Sequence, residues 1–310
     1  MNTAQSKKER KLGKITDNDN VVGYIFILPF VIGFLAFTLY PIISSFYFSF
    51  TRYDLLSSPR FIGLENYKEM FIEDPKFWHS FGITCLYVVV SVPLRLIFAL
   101  LVAMILSKTT KLTGLYRAVY YIPSLLGGSV AVSVLWKRIF SDTGAVNAIL
   151  RLFGIYSDTN WIGNPDTALL TLILLAVWQF GSSMLIFLAG LKQIPRTYYE
   201  AADVDGAKPV QKFFKITLPM LSPVIFFNLV MQTITGFMTF TQTFIISNGS
   251  GAPLDSLLLY ALYLYQQAFG YYRMGYGSAM AWFMLVIIGA LTALAFKTSS
   301  SWVYYESKEE

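Results

Sequence analysis

The sequence predicts an all-α membrane protein with six transmembrane helices and both termini in the cytoplasm. Three observations carry that prediction. Of 310 residues, 55% are apolar and only 14% charged, against roughly 25% charged in ordinary soluble domains. The apolar residues fall in uncharged runs long enough to cross the roughly 30 Å hydrocarbon core of a bilayer. All 18 Asp and Glu residues lie outside those runs, in tails and loops.

The first run, residues 21–51, has 31 residues without a charge. It is too long for the apolar region of a signal peptide, and no small-residue cleavage site follows it. It is therefore read as an uncleaved first span, bent at Pro29 or Pro41. Further spans are expected at 78–107, 115–139, 167–191, 219–246 and 274–296. The uncharged stretch 256–272 is rich in Tyr and Gln and only 17 residues long, which suits a short interfacial or re-entrant helix better than a seventh span. Residues 1–20 and 299–310 are then tails, and 21–298 form the membrane domain. With both ends inside, 15 Lys and Arg face the cytoplasm and 8 face out, and Arg95 sits within the second span. That asymmetry fixes the orientation by the positive-inside rule.

Several function classes are excluded by what the chain lacks. The net charge of +6 comes without a basic, aromatic-interleaved patch, so it sets topology and does not point to nucleic acid. One cysteine, Cys85, and one histidine, His79, are too few for an internal disulfide or a structural zinc site. No GxxxxGK[ST], HExxH, GxSxG or strand-flanked GxGxxG occurs. No catalytic residue and no metal ligand is expected, and any ATP hydrolysis belongs to another chain. An ion-coupled secondary sugar carrier is the alternative, disfavoured because such carriers commonly use intramembrane carboxylates.

The most informative stretch is the cytoplasmic loop at 194–219, between the fourth and fifth spans. Glu200 to Val204 favours helix, Gly206 favours termination, and Pro209 forbids simple continuation, so a short helix turns into a second one feeding span five. Ala201, Ala202 and Ala207 form a small face that a partner could approach closely. By local physics alone the same residues also suit a solvated amphipathic loop. Glu200-Ala201-Ala202, three residues, Gly206-Ala207 and then Phe213-x-x-Ile216-x-Leu218-Pro219 resemble the EAA loop of bacterial ABC importer permeases. The resemblance extends over nearly the whole chain and points to the carbohydrate, maltose-transporter-type branch. Leu28-Pro29, Tyr40-Pro41, Gly63-Leu64-Glu65-Asn66-Tyr67, Tyr116-Arg117, Ile122-Pro123 and Ala189-Gly190-Leu191 carry it. Ile83, where Asn is expected, and Arg95, where an aliphatic residue is usual, depart from it.

The resemblance implies an ABC importer permease core that moves an oligosaccharide or related polyol inward across the bacterial cytoplasmic membrane. It implies no cofactor in this chain, with ATP and Mg held by two partner ATPase subunits. The other implied partners are a second homologous permease, as a heterodimer, and an extracellular solute-binding protein. In the coupling set Glu200, Ala201, Ala202, Asp205, Gly206 and Ala207, Glu200 would contact a basic residue of the ATPase. Gly206 would allow the tight turn, and the alanines would pack in the ATPase cleft.

Sugars are recognised by hydroxyl hydrogen bonds and aromatic faces, so polar and aromatic residues inside the spans are the substrate candidates. Trp178, Gln179 and Ser182 lie mid-span in the fourth, and Gln232, Gly236 and Thr239 share one side of the fifth at helical spacing. Such residues also commonly join membrane helices to each other. The resemblance places these six in the region that lines the sugar site. Arg95 has two readings. A mid-span Arg costs about 2.5–3.5 kcal/mol on insertion scales, so it either lines a wet cavity or meets an anionic substrate such as a uronic-acid sugar, or else is satisfied by carbonyls at a subunit interface. Tyr260, Tyr263, Tyr265, Tyr271 and Tyr272 read as an outer interfacial belt, and Asn248-Gly249-Ser250 reads as a turn.

Overall fold

The computed structural model describes residues 19–107 and 113–304. Most of the N-terminal tail, Lys108, Lys111 and the end of the C-terminal tail lie outside the described residues. Four described helices are long and apolar enough to cross a membrane: Val22–Ser49, Pro75–Ser107, Ser222–Ile246 and Met274–Trp302. Two bent pairs reach that length together, Gly114–Leu126 with Val130–Ile139 and Pro165–Trp178 with Gly181–Gln193. In chain order these elements occupy the six expected positions. The last helix continues to Trp302, past the boundary expected near 298.

The first span contains Pro29 and a π turn, Leu35–Leu39, just ahead of Pro41. Pro41 has no N–H to offer the Phe37 carbonyl, and a π turn is one way a helix absorbs such a loss. Only the C-terminal end of this span packs on the body, where Phe46 meets Trp282 edge-on at 4.8 Å.

Span three differs from the continuous helix expected at 115–139. Val130–Ile139 turns 97° away from Gly114–Leu126. Gly127 and Gly128 weaken the helix, and Ser129 adopts an extended conformation and accepts a hydrogen bond from the Val132 N–H at 3.3 Å. That is an N-cap, so a new helix begins there. Span four bends by 41° at Gln179 and Phe180. Just beyond the break, a Cβ on Gly181 would overlap the Tyr120 carbonyl and the Tyr121 backbone, so spans three and four touch backbone to backbone.

The expected outer belt is corrected in part. Tyr260 and Tyr263 are only 1% and 4% exposed, because the short helix Tyr260–Tyr265 tucks into one end of the bundle. The Tyr260 hydroxyl donates to the Met280 carbonyl at 2.9 Å, and its N–H donates to Thr84 Oγ1 at 2.8 Å. Tyr271 and Tyr272 remain exposed at the rim.

Asp74 anchors this end. Its Oδ2 accepts from the hydroxyls of Tyr263 and Tyr276, each at 2.6 Å. Arg273 pairs with Glu69 at 2.5 Å and lies 4.5 Å over the Tyr276 ring. Burial, then the hydrogen bond and charge of Asp74, push the Tyr263 hydroxyl above its ordinary range. Burial acts to lower Arg273, but the hydrogen bond and charge of Glu69 outweigh it and hold the guanidinium above its usual value. Asp74→Ala is expected to cost about 1–3 kcal/mol for each orphaned tyrosine hydroxyl. The thermal unfolding midpoint of the detergent-purified protein should fall accordingly, with Asp74→Asn losing less; an unchanged midpoint for the alanine variant would contradict this.

At the opposite end, the Tyr304 N–H donates to Ser222 Oγ at 2.8 Å. The end of the last helix therefore sits beside the start of span five, at the face that carries the 194–219 loop.

Candidate functional site

The loop begins where Ile194 is buried against the body and Pro195 takes an extended conformation. An exposed helix follows, Arg196–Val204. Its end is closed by two bonds: the Ala207 N–H donates to the Ala202 carbonyl at 2.9 Å, and the Gly206 N–H to the Asp203 carbonyl at 3.1 Å. Gly206 has a φ of +72°. This is the Schellman arrangement, in which the residue past the cap must enter the left-handed region. Pro209 then opens the next helix, Pro209–Lys212, at the one position where its missing N–H costs nothing.

Glu200, Ala201, Asp205 and Gly206 are exposed, and Ala202 and Ala207 are half-buried. Alongside them Val204 is 89% exposed, and Tyr198, Val210 and Phe214 are exposed as well. All four lie on the loop, outside the spans. The loop is held to itself by a Lys212–Asp203 ion pair and by a Tyr199–Thr217 hydroxyl contact of 2.9 Å. A cavity of about 720 Å³ separates it from the ends of spans two and four.

A second, smaller cavity of about 50 Å³ lies between spans two, four and five. Arg95, Gln179, Gln232, Gly236 and Thr239 all line it, so five of the seven substrate candidates are brought together. Trp178 and Ser182 are not among its lining residues. Trp178 packs on Trp136 with ring centroids 5.8 Å apart, and the Ser182 N–H donates to Ser124 Oγ at 2.9 Å. Successive helical residues turn by about 100°, so Trp178 cannot share the face of Gln179. Tyr87, Ser91, Thr235 and Gln242 complete the polar lining. Tyr87 and Ser91 were not anticipated, although Tyr87, Ser91 and Arg95 stand at intervals of four on one helix face.

Arg95 is placed by the break in span four. Interrupting the helix frees the Gln179 carbonyl, and in a bilayer that carbonyl needs another donor. Arg95 Nη2 supplies one at 2.5 Å and Ser124 Oγ a second at 2.8 Å. The mid-span cation thus donates one hydrogen bond to a carbonyl of its own chain, and it also lines the cavity. Its Nε is enclosed without a partner. Gln232 Nε2 donates to Ser183 Oγ at 3.1 Å, tying span five to span four. A Cβ on Gly236 would lie 3.0 Å from Val88, so that glycine lets span five approach span two.

The family model described as "Binding-protein-dependent transport system inner membrane component" matches residues 75–305. The chain is 60% identical, over 98% of its length and 97% of the relative's, to the probable ABC transporter permease protein YesP of Bacillus subtilis strain 168. It is 36% identical to the arabinooligosaccharides transport system permease protein AraP of the same organism, over 90% of this chain and 88% of that one. Its fold is similar to that in a solved bacterial alginate ABC transporter in complex with alginate pentasaccharide-bound periplasmic protein. The TM-score is 0.77 at 21% identity, over 90% of this chain and 93% of the other.

Proposed function

The chain belongs to the family of binding-protein-dependent transport system inner membrane components, as a multi-pass carbohydrate ABC importer permease, and from that premise we propose how it works. The exposed Arg196–Val204 helix, closed by Gly206, docks on a separate ATPase subunit and passes nucleotide-driven movement to the spans. Glu200 makes the charged contact, Asp205 and Gly206 form the turn, and Ala201, Ala202 and Ala207 allow close approach. The exposed apolar set on this loop is the observation that carries the reading, since a loop bathed only in water has no use for it.

The substrate is an oligosaccharide or related polyol. Relatedness to an arabinooligosaccharide permease supports this, and so does the ring of amides and hydroxyls from Gln179, Gln232 and Thr239. A cavity of about 50 Å³ holds a few waters and falls well short of the several hundred Å³ of small-molecule sites. A second homologous permease therefore supplies the other half of the path. ATP and Mg belong to two ATPase subunits, and an extracellular binding protein delivers the sugar. Both ends of the chain face the cytoplasm, as the Lys and Arg distribution indicates. ATP-driven closure of the ATPases exposes the shared path outward, and hydrolysis returns it inward, which is alternating access between two states.

Uptake by proteoliposomes containing the assembly should require internal or external ATP at the ATPase face and persist when ionophores collapse ion gradients. Uptake that follows an ion gradient without ATP would instead establish a secondary carrier. Gln232→Ala is expected to raise the sugar concentration for half-maximal uptake by about two- to tenfold, the worth of one hydrogen bond. No change in that concentration would remove Gln232 from the path.

A further inference from the structure

Arg95 is the one Lys or Arg within the central part of a span, and no Asp or Glu stands in the central part of any of the six spans to pair with it, Asp166 lying in the first turn of span four. Its role at the break in span four explains one hydrogen bond, to the Gln179 carbonyl. A neutral donor does that job as well: Ser124 Oγ reaches the same carbonyl at 2.8 Å. The charge itself is left unexplained, and a mid-membrane charge is costly unless something compensates it.

A guanidinium carries five N–H donors. Among the described residues, one bond is made, and Nε is enclosed with no partner. The cavity beside it is otherwise lined by neutral groups, Tyr87, Ser91, Gln179 and Gln232 among them. It carries one uncompensated positive charge in surroundings of low dielectric, where attraction for an anion is far stronger than in water. The cavity is lined in part by Thr235, which is exposed on span five, so it lies beside a face that the chain itself leaves open.

Resting on the importer reading, we propose that Arg95 makes this permease selective for acidic oligosaccharides, by engaging a uronate carboxylate as the sugar passes the cavity. The carboxylate supplies the missing counter-charge and takes up guanidinium donors that the protein leaves free. A neutral sugar offers hydroxyls to the same ring of amides but no counter-charge. The charge is thus a specificity element, and the carbonyl bond to Gln179 positions it.

The test is equilibrium binding to the assembly as it purifies in nanodiscs, with no binding protein present, so that the permeases alone choose. Trigalacturonate is compared with its carboxyl-reduced counterpart, galactotriose. The wild-type assembly should hold the acidic trisaccharide about ten- to a hundredfold more tightly, the worth of a charge-assisted hydrogen bond or two. Arg95→Gln should collapse that ratio towards one, and Arg95→Lys, which keeps the charge, should restore part of it. Partial rescue by lysine separates loss of charge from loss of fold. Equal affinities in the wild type, a preference that survives Arg95→Gln, or no acidic sugar bound at all would each overturn the proposal. The importer reading fails on a different result, namely that no ATPase associates or that uptake ignores ATP. ATP-driven uptake of neutral sugars without acidic preference would leave the importer standing and remove the role of Arg95.

Discussion

Gly206→Val is expected to abolish ATP-driven sugar uptake while leaving the chain inserted in the membrane and assembled with its partner permease. The cause is conformational. Gly206 sits at a φ of +72°, and a Cβ added there would meet nothing within 4 Å, so no neighbour in this chain forbids a side chain. What forbids valine is the left-handed backbone, which costs an L-residue roughly 1–2 kcal/mol and a β-branched one more. The two bonds that close the Arg196–Val204 helix depend on that conformation. With valine the turn opens, and the exposed face from Glu200 to Ala207 no longer presents as one surface. A side chain here could also clash inside the ATPase cleft; the backbone supplies a nearer reason. The two reasons predict different series. If backbone strain governs, Gly206→Asn should transport nearly normally, because Asn tolerates the left-handed region, Gly206→Ala should fall between, and Gly206→Val should lose at least about tenfold in uptake rate, a barrier change of ~1.4 kcal/mol. Normal uptake by the valine variant would remove the coupling role of this turn.

Gly181→Val is expected to act earlier, on assembly. A Cβ at this position would overlap the Tyr120 carbonyl and the Tyr121 Cα, and backbone atoms of a packed helix cannot step aside as a flexible side chain would. Overpacking of this kind costs roughly 1–3 kcal/mol. Here it also prises apart the junction at which Ser124 and Arg95 satisfy the Gln179 carbonyl, leaving a polar group unpaired where water is excluded. The yield of monodisperse, detergent-extracted protein should fall several-fold, and Gly181→Ala should already lower it. Gly289→Ala, where the added methyl meets nothing within 4 Å, is the neutral control. Equal yields for Gly181→Val and Gly289→Ala would show that spans three and four tolerate separation at this point.

Much of this architecture was legible in the sequence because hydropathy and charge are decided residue by residue. Uncharged runs marked the spans, and the pairing of a helix-favouring Glu200–Val204 segment with Gly206 marked the turn. The breaks were not legible in the same way. In span three the signal was present, as Gly127 and Gly128 before a capping Ser129, but an apolar run reads the same whether it is straight or turned through 97°. In span four the break falls at Gln179 and Phe180, residues with no breaking tendency. Gly181, just beyond the break, packs on span three, a tertiary contact that a single glycine in an apolar run does not announce. That break also explains the uneven outcome for the candidate cavity. Gln179, Gln232, Gly236, Thr239 and Arg95 converge. Trp178 and Ser182 were grouped with Gln179 by proximity in sequence, but the helix phase and the bend turn them towards span three. Tyr87 and Ser91 gave no comparable signal, because they stand singly among the apolar residues of span two, without the clustered amides and hydroxyls of spans four and five. Tyr260 and Tyr263 read as a surface belt because an aromatic cluster near a membrane boundary gives no sign of which rings will find a buried acceptor such as Asp74.

The central claim is that this chain converts work done on separate ATPase subunits into sugar movement through the 194–219 loop. The most direct test is the rate of ATP hydrolysis in proteoliposomes that contain this chain, its partner permease and the ATPases, with and without sugar-loaded binding protein. The account predicts hydrolysis that rises when one loaded binding protein is added and loses that rise in Gly206→Val, although the ATPases are still present. Hydrolysis that is indifferent to the loaded binding protein, or sugar uptake that proceeds with no ATPase bound, would contradict it.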